Sequence, residues 1–360
     1  MMRTAVRWTI PAAVATAVIG GSLAWPSLAG AAPDLAPTTA ADLMADVAGS
    51  PAQAFSGTVV QTTDLGLPQL PSGAAGSDPA VLTDLIGGTT TARVWSDGGQ
   101  RARIAVLGRL AETDVVRNGT DVWTWRSGTG TVAHAVLPPD QASAAVPAQP
   151  QLTPAQAAHQ ALAAVEPTTR VALGSTATVA GRPARTLVLE PKDAGSLVGR
   201  VVIAVDAETA TPLQVQVFAR DSAGAAVQTG FTSVSFSAPS ATEVAPALPQ
   251  GSAVQEVTPQ TMQARAGATP QPAVVGSGWT SVAVLRPAAA QPGSAPTAGR
   301  AHPTALLKAM SRPVNGAYGS GRLITSSVLS ALVLDDGRVL IGAVPEPELE
   351  RAALDPAAQP

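Results

Sequence analysis

Cysteine is absent from this sequence. That removes disulfides, iron–sulfur clusters, thiol chemistry and a lipid-modified N-terminal cysteine in one step. Charge is scarce as well, at 13% of residues, and Lys192 and Lys308 are the only lysines. Lys plus Arg number 22 against 25 Asp plus Glu, a formal charge of -3. A nucleic-acid partner needs a basic face, and none is visible. Aromatic residues make up only 3%. The three histidines, His134, His159 and His302, are far apart, and none belongs to a HExxH or similar ligand cluster. Neither a metal nor another cofactor is expected. Long apolar runs are missing after the N-terminus, since Val328 to Val344 is broken by Asp335, Asp336 and Arg338 and reads as a hairpin.

Residues 1–31 read as an export signal. Arg3 and Arg7 precede an apolar stretch from about Trp8 to Leu28, ending in Ala29-Gly30-Ala31, a small-x-small cleavage pattern. Pro11 and Pro26 argue against a retained anchor. Removing the two arginines takes the formal charge to -5. The expected location is the cell envelope or the exterior, with residues 32–344 long enough to build a hydrophobic core without disulfides.

Thr39 caps a predicted helix over Ala40 to Ala48, with Leu43 and Val47 on one face. A strand follows from Ala54 to Thr62, then a Gly/Pro/Ser-rich insertion, residues 65–88, holding a short helix at Pro79 to Ile86 and expected to act as a lid or docking element. A meander comes next: Thr91 to Ser96, Arg101 to Leu107, Glu112 to Arg117, Asp121 to Arg126 and Thr131 to Val136. Its turn signals include Asp97-Gly98-Gly99 and Asn118-Gly119. Residues 138–151 read as a connection. Thr153-Pro154-Ala155-Gln156 then opens a second helix, with Ala158, Ala161, Leu162 and Val165 on one stripe. Six more strands are predicted between Arg170 and Ser237. Leu213, Val215 and Val217 alternate with Gln214, Gln216 and Phe218, as on a half-buried sheet face. Ala238 to Thr304 reads mostly as loop, with a strand at Trp279 to Leu285 and a loose Pro/Ala/Gly-rich segment at 287–303. Ala305 to Met310 reads as a helical turn. Ser326 to Leu334 and Arg338 to Val344 read as a hairpin, and residues 345–360 as an acidic, disordered tail.

Signs of catalysis are weak. No Gly-x-Ser-x-Gly elbow occurs, and the Asn315 to Gly321 stretch lacks the lysine of a phosphate loop, so it reads as a flexible turn. Glu190 with Asp193, and Asp206 with Glu208, sit where carboxylates are ordinary. His134 lies in a strand, and His159 lies off the apolar stripe of its helix. What remains is shape. Short, alanine-rich helices cover one apolar sheet face only thinly, and a thin cover over a curved sheet leaves an apolar concavity of the kind that takes acyl chains.

The order of elements resembles a known family. Phe55-Ser56-Gly57-Thr58-Val59-Val60, Glu112 to Gly119 and Val122-Trp123-Thr124-Trp125 are similar to LolA-like exported proteins of actinobacteria, relatives of the lipoprotein carriers and of the RseB/MucB regulators. Ala180 to Ala184, Leu187 to Asp193, Val205 to Thr209 and Gly230 to Val234 continue the likeness, which spans about residues 38 to 240 and more weakly 278 to 344. It implies an α+β fold, a strongly curved, unclosed antiparallel half-barrel wrapped around a few short helices, with no catalytic residues. It also implies one of two functions: binding a lipid or lipoprotein acyl chain in the concavity, or binding an exported or membrane-anchored protein partner. The expected concavity wall is Phe55, Trp95, Trp123, Trp125, Leu187, Val215, Phe218 and Phe231, although Val215 and Phe218 lie on opposite faces of one strand.

Overall fold

The computed structural model describes residues 35–67, 88–108, 111–137, 153–163, 168–246, 248, 251–258, 272–286 and 310–358. The expected export signal, most of the 65–88 insertion, the 138–151 connection, the 287–303 segment and all but Met310 of the predicted 305–310 turn lie outside these residues.

Helix α1 (Ala40–Gly49) begins where Thr39 Oγ1 accepts a hydrogen bond from the Asp42 N–H at 3.1 Å, and it buries Leu43 and Val47. Strands β1 (Ala54–Thr63), β2 (Gly88–Asp97), β3 (Arg101–Leu107), β4 (Glu112–Asn118), β5 (Asp121–Arg126) and β6 (Thr131–Val136) form the expected meander. The glycines at its turns are required. Gly98 has φ +76°, and a Cβ there would sit 2.7 Å from the Ala52 carbonyl. Gly119 has φ +63° in the tight Asn118–Asp121 hairpin. Helix α2 (Pro154–Ala163) has a reciprocal capping box: the Gln156 N–H donates to Thr153 Oγ1, and the Thr153 N–H donates to Gln156 Oε1. Ala158 and Ala161 are buried, while His159 is exposed.

A second meander follows: β7 (Thr169–Leu173), β8 (Ala177–Val179), β9 (Arg182–Pro191), β10 (Val198–Asp206), β11 (Pro212–Ala219) and β12 (Ala225–Ser235). β12 returns to pair with β1, which joins the two meanders into one sheet of thirteen strands, ordered β13-β6-β5-β4-β3-β2-β1-β12-β11-β10-β9-β7 with β8 also on β9. Here β13 is Val254–Val257, lying parallel on β6. Bulges between Thr58 and Val59, Ala204 and Val205, and Val217 and Phe218 add bend and twist to the sheet. The fold class expected from the sequence, a curved unclosed antiparallel sheet around short helices, is the one observed.

Its inner side is packed. Leu43 and Val47 of α1 and Ala158 and Ala161 of α2 meet Leu187, Leu189, Val201, Ile203, Val215 and Val217, with Leu65 and Val328 added from outside the meanders. Each fully buried leucine or isoleucine contributes about 1.5–3 kcal/mol.

The region after residue 270 holds more structure than the expected hairpin and the strand expected at Trp279 to Leu285. β14 (Ala273–Val275), β15 (Val282–Leu285), β16 (Arg312–Gly316), β17 (Gly319–Thr325), β18 (Ser330–Leu334) and β19 (Val339–Gly342) form a six-stranded sheet, ordered β14-β15-β19-β18-β17-β16. The expected flexible turn at Asn315 to Gly321 is the tight β16–β17 hairpin. Pro313 is tolerated because β16 is an edge strand. The tail expected to be disordered is helix α3 (Glu346–Leu354) and a short 3-10 turn, with Leu349 and Ala353 fully buried against this sheet. Its apolar residues are few but fall on one helical face, and that decides the matter against its acidic composition. The two sheets are tied by Leu197 N–H to the Ala343 carbonyl at 2.7 Å, Ser327 N–H to the Leu65 carbonyl at 2.9 Å, and Trp279 Nε1 to Thr169 Oγ1 at 2.8 Å.

Candidate functional site

The eight residues expected to line one concavity go to several places. Leu187 and Val215 are buried in the core under α1 and α2. Phe55 and Phe231 meet edge to face, centroids 5.9 Å apart, in a neighbouring core cluster with Val59, Val94 and Ile104. Phe218 faces the other way from Val217, beneath the Arg200 guanidinium at 3.9 Å. Trp95, Trp123 and Trp125 share the face of the sheet opposite the one where Val94 and Ile104 pack.

Two concavities among the described residues bear on acyl-chain binding. One lies over β1, β2 and β3, walled by Val59, Gln61, Thr90, Ala92, Val94, Ile104 and Thr153, and holds about 10 Å³. Ligand pockets measure ~300–1,000 Å³, so this is room for about one water. The other, about 520 Å³, lies between α1 and the β10–β11 turn, and it is polar, lined by Asp46, Gln53, Arg185, Asp206 and Glu208 among others. Its floor is an ion-pair network. Asp206, 2% exposed, accepts two hydrogen bonds from Arg182, at 2.5 and 2.9 Å, and one from Thr209 Oγ1 at 2.9 Å. Burial raises the Asp206 pKa, but these donors outweigh it and hold the carboxyl below its ordinary value. None of the eight expected residues lines either concavity.

The face carrying the tryptophans is organised in rows. Cross-strand pairing sets Trp95, Arg103, Val116, Trp123, His134 and Glu256 side by side on β2, β3, β4, β5, β6 and β13. The next row on the same face runs Arg93, Ala105, Asp114, Trp125, Val132 and Val254. All three indoles are half-buried. The Arg103 guanidinium lies 5.2 Å from the Trp95 ring centre and forks onto the buried Asp114 at 2.8 and 3.0 Å. Trp123 stacks on His134 at 4.0 Å. Asp121 Oδ1 is 2.9 Å from His134 Nε2, and Glu256 Oε2 is 2.9 Å from Nδ1. Both ring nitrogens therefore face a carboxylate, an arrangement that suits the doubly protonated ring and fits a structural clamp. The Trp123–Trp125 spacing placed those two rings on one face. Trp95 was named beside them as a wall residue, but its alignment with Arg103 and His134 was beyond reach of sequence, because it depends on register across five strands.

No family model matches the chain, and no curated protein matches it. Among solved structures it is similar to MucB in the MucA/MucB complex of Pseudomonas aeruginosa, with 18% identity over 88% of this chain and 97% of that one, at a TM-score of 0.42. It is also similar to a LolA superfamily protein from Nitrosomonas europaea, with 12% identity over 58% of this chain and 99% of that one, at 0.23. A putative outer membrane lipoprotein-sorting protein domain from Vibrio parahaemolyticus shares 12% over 55% of this chain and 90% of that one, at 0.20.

Proposed function

We propose that this chain is a non-enzymatic, exported binding protein of the cell envelope, and that its partner is another exported or membrane-anchored protein. One observation carries the reading: the two-row face of Trp95, Trp123 and Trp125 interleaved with Arg93, Arg103 and His134. Tryptophan and arginine are the residue types enriched where protein surfaces meet, because half-buried rings supply large contact area at little entropic cost. In a chain with so few aromatic residues, placing three tryptophans on the side away from the helices is a poor use of core material. Among the described residues the acyl-chain reading has less support, since the concavity over β1–β3 has room for about one water and the one beside α1 is polar.

The test is native mass spectrometry on the mature protein drawn gently from its host's envelope, followed by lipid extraction. A protein retained by the wild type and lost from a Trp95→Ala/Trp125→Ala variant supports the reading. A stoichiometric acyl-chain ligand, held equally by both, refutes it.

A further inference from the structure

β6 and β13 are unequal partners. β6 is built as an interior strand, with Val132 fully buried and the His134 side chain 14% exposed. β13 is the reverse. Val254 is 43% exposed and the Glu256 side chain 66%, over only four residues. Among the described strands it is the one paired in parallel within this sheet. Within Val254–Val257, its ties to β6 are a short main-chain ladder and the bond between His134 Nδ1 and Glu256 Oε2. Little apolar surface is buried in exchange, while fixing those residues costs chain entropy. Such a strand is weakly held over an edge made for pairing.

We propose that the β6 edge is a docking site for an extended segment of the protein partner, and that β13 is the resident occupant this segment displaces. The proposal rests on the protein-partner reading above and locates its site. The rows define the chemistry of the segment: a β-branched residue beside Val132 and, two positions on, a carboxylate to meet His134. Length gives the partner its advantage. β13 ends opposite Ala135, leaving Val136 46% exposed at the end of β6, and a segment one or two residues longer covers it.

The test uses the full mature chain and a fluorescent peptide of its own sequence Ser252 to Thr258. Glu256→Lys turns the His134 contact repulsive, and because Glu256 is exposed the fold is not at risk. At pH 6, amide exchange over residues 132–136 is expected to rise at least tenfold in this variant, with peptide anisotropy showing binding at least tenfold tighter than to wild type. Adding His134→Gln to the variant removes most of that gain. The proposal fails if the edge is freed without tighter binding, or if Glu256→Lys leaves the edge protected. The broader reading is separable: an envelope partner captured by the wild type and indifferent to both Glu256→Lys and excess peptide keeps that reading and sinks the β6 site.

Discussion

Trp123 stacks on His134 with ring planes 23° apart, and the stack aims each imidazole nitrogen at a carboxylate from a different strand. The row that begins with Trp95 therefore ends in a charged clamp across β5, β6 and β13. The curved sheet supplies a two-sided scaffold: one face is consumed by the helices, and the other presents aromatic and charged groups in register.

The clamp should respond to pH. Burial draws the His134 pKa down, but the hydrogen bonds and charges of Asp121 and Glu256 outweigh it and hold the group above its ordinary 6.5. A raised pKa in the folded state contributes stability that is fully present below about 6.5 and lost as pH rises through the folded value. Asp121 from β5 and Glu256 from β13 are the charged groups facing the ring, and Arg103, farther along the row, is engaged by Asp114. Exchange of the 254–257 amides, corrected for intrinsic rates, is expected to be slower at pH 5.5 than at pH 8.5. His134→Gln should abolish that difference. Equal protection at both pH values in the wild type would show that the clamp does not hold β13.

Asp206 ties β10 to β9 from inside the sheet. Its side chain is 1% exposed, while that of Arg182 is 26% exposed. Removing one partner of a buried pair costs ~3–5 kcal/mol, and the partial exposure of Arg182 reduces the expectation for Asp206→Ala to about 2–4 kcal/mol in urea unfolding at pH 7. Because the folded pKa lies below the ordinary 3.8, this stabilisation is complete above about pH 4 and disappears as pH falls through the folded value. The gap between wild type and variant should narrow as unfolding is repeated at lower pH. A constant gap would point to lost packing instead.

Local signals were legible. The Thr153/Gln156 capping box, the Asn118-Gly119 hairpin and the alternation of Leu213, Val215 and Val217 each fix a local geometry, and each is found in the structure. Long-range pairing was not. Nothing within Val254–Val257 announces a parallel partner more than a hundred residues away. Gly319-Ser320-Gly321 reads as part of a flexible turn because its strand status comes from neighbours in the second sheet. The concavity wall failed to assemble for the same reason. Face assignments hold within a strand, but the register between strands sets Phe55 opposite Ser96 and Ser56 opposite Trp95, which puts the phenylalanine and the tryptophan on opposite faces.

Gly57 gives a test of the seam between the two meanders. A Cβ built there would lie 2.4 Å from the Ser233 carbonyl oxygen and 2.9 Å from Phe231 Cδ1. Main chain cannot step aside as a flexible side chain does, so Gly57→Ala is expected to cost about 1–3 kcal/mol. Gly49→Ala, where nothing lies within 4 Å, is the control and should be near neutral or slightly stabilising. Thermal unfolding of the pair decides it: equal midpoints would mean that β12 can slide away from β1 at little cost.

The C-terminal helix depends on one arginine. Arg338 is 5% exposed, donates from Nη1 to the Ala353 carbonyl at 3.1 Å and the Ala358 carbonyl at 3.0 Å, and pairs through Nε with Asp336 at 2.7 Å. The accepting carbonyls close the end of α3 and the 3-10 turn after it, where helical bonding runs out and a cation is favoured. Tyr318 donates its hydroxyl to Glu350 at 2.8 Å, and Arg312 pairs with Glu346, so α3 is fastened at both ends. Arg338→Met keeps the aliphatic volume but removes the charged donor from both carbonyls, with an expected loss of about 2–4 kcal/mol. That loss should be local: exchange in residues 346–358 rises well before the first sheet loses protection. If the two regions lose protection together, α3 is part of a single cooperative core rather than a separately fastened cover.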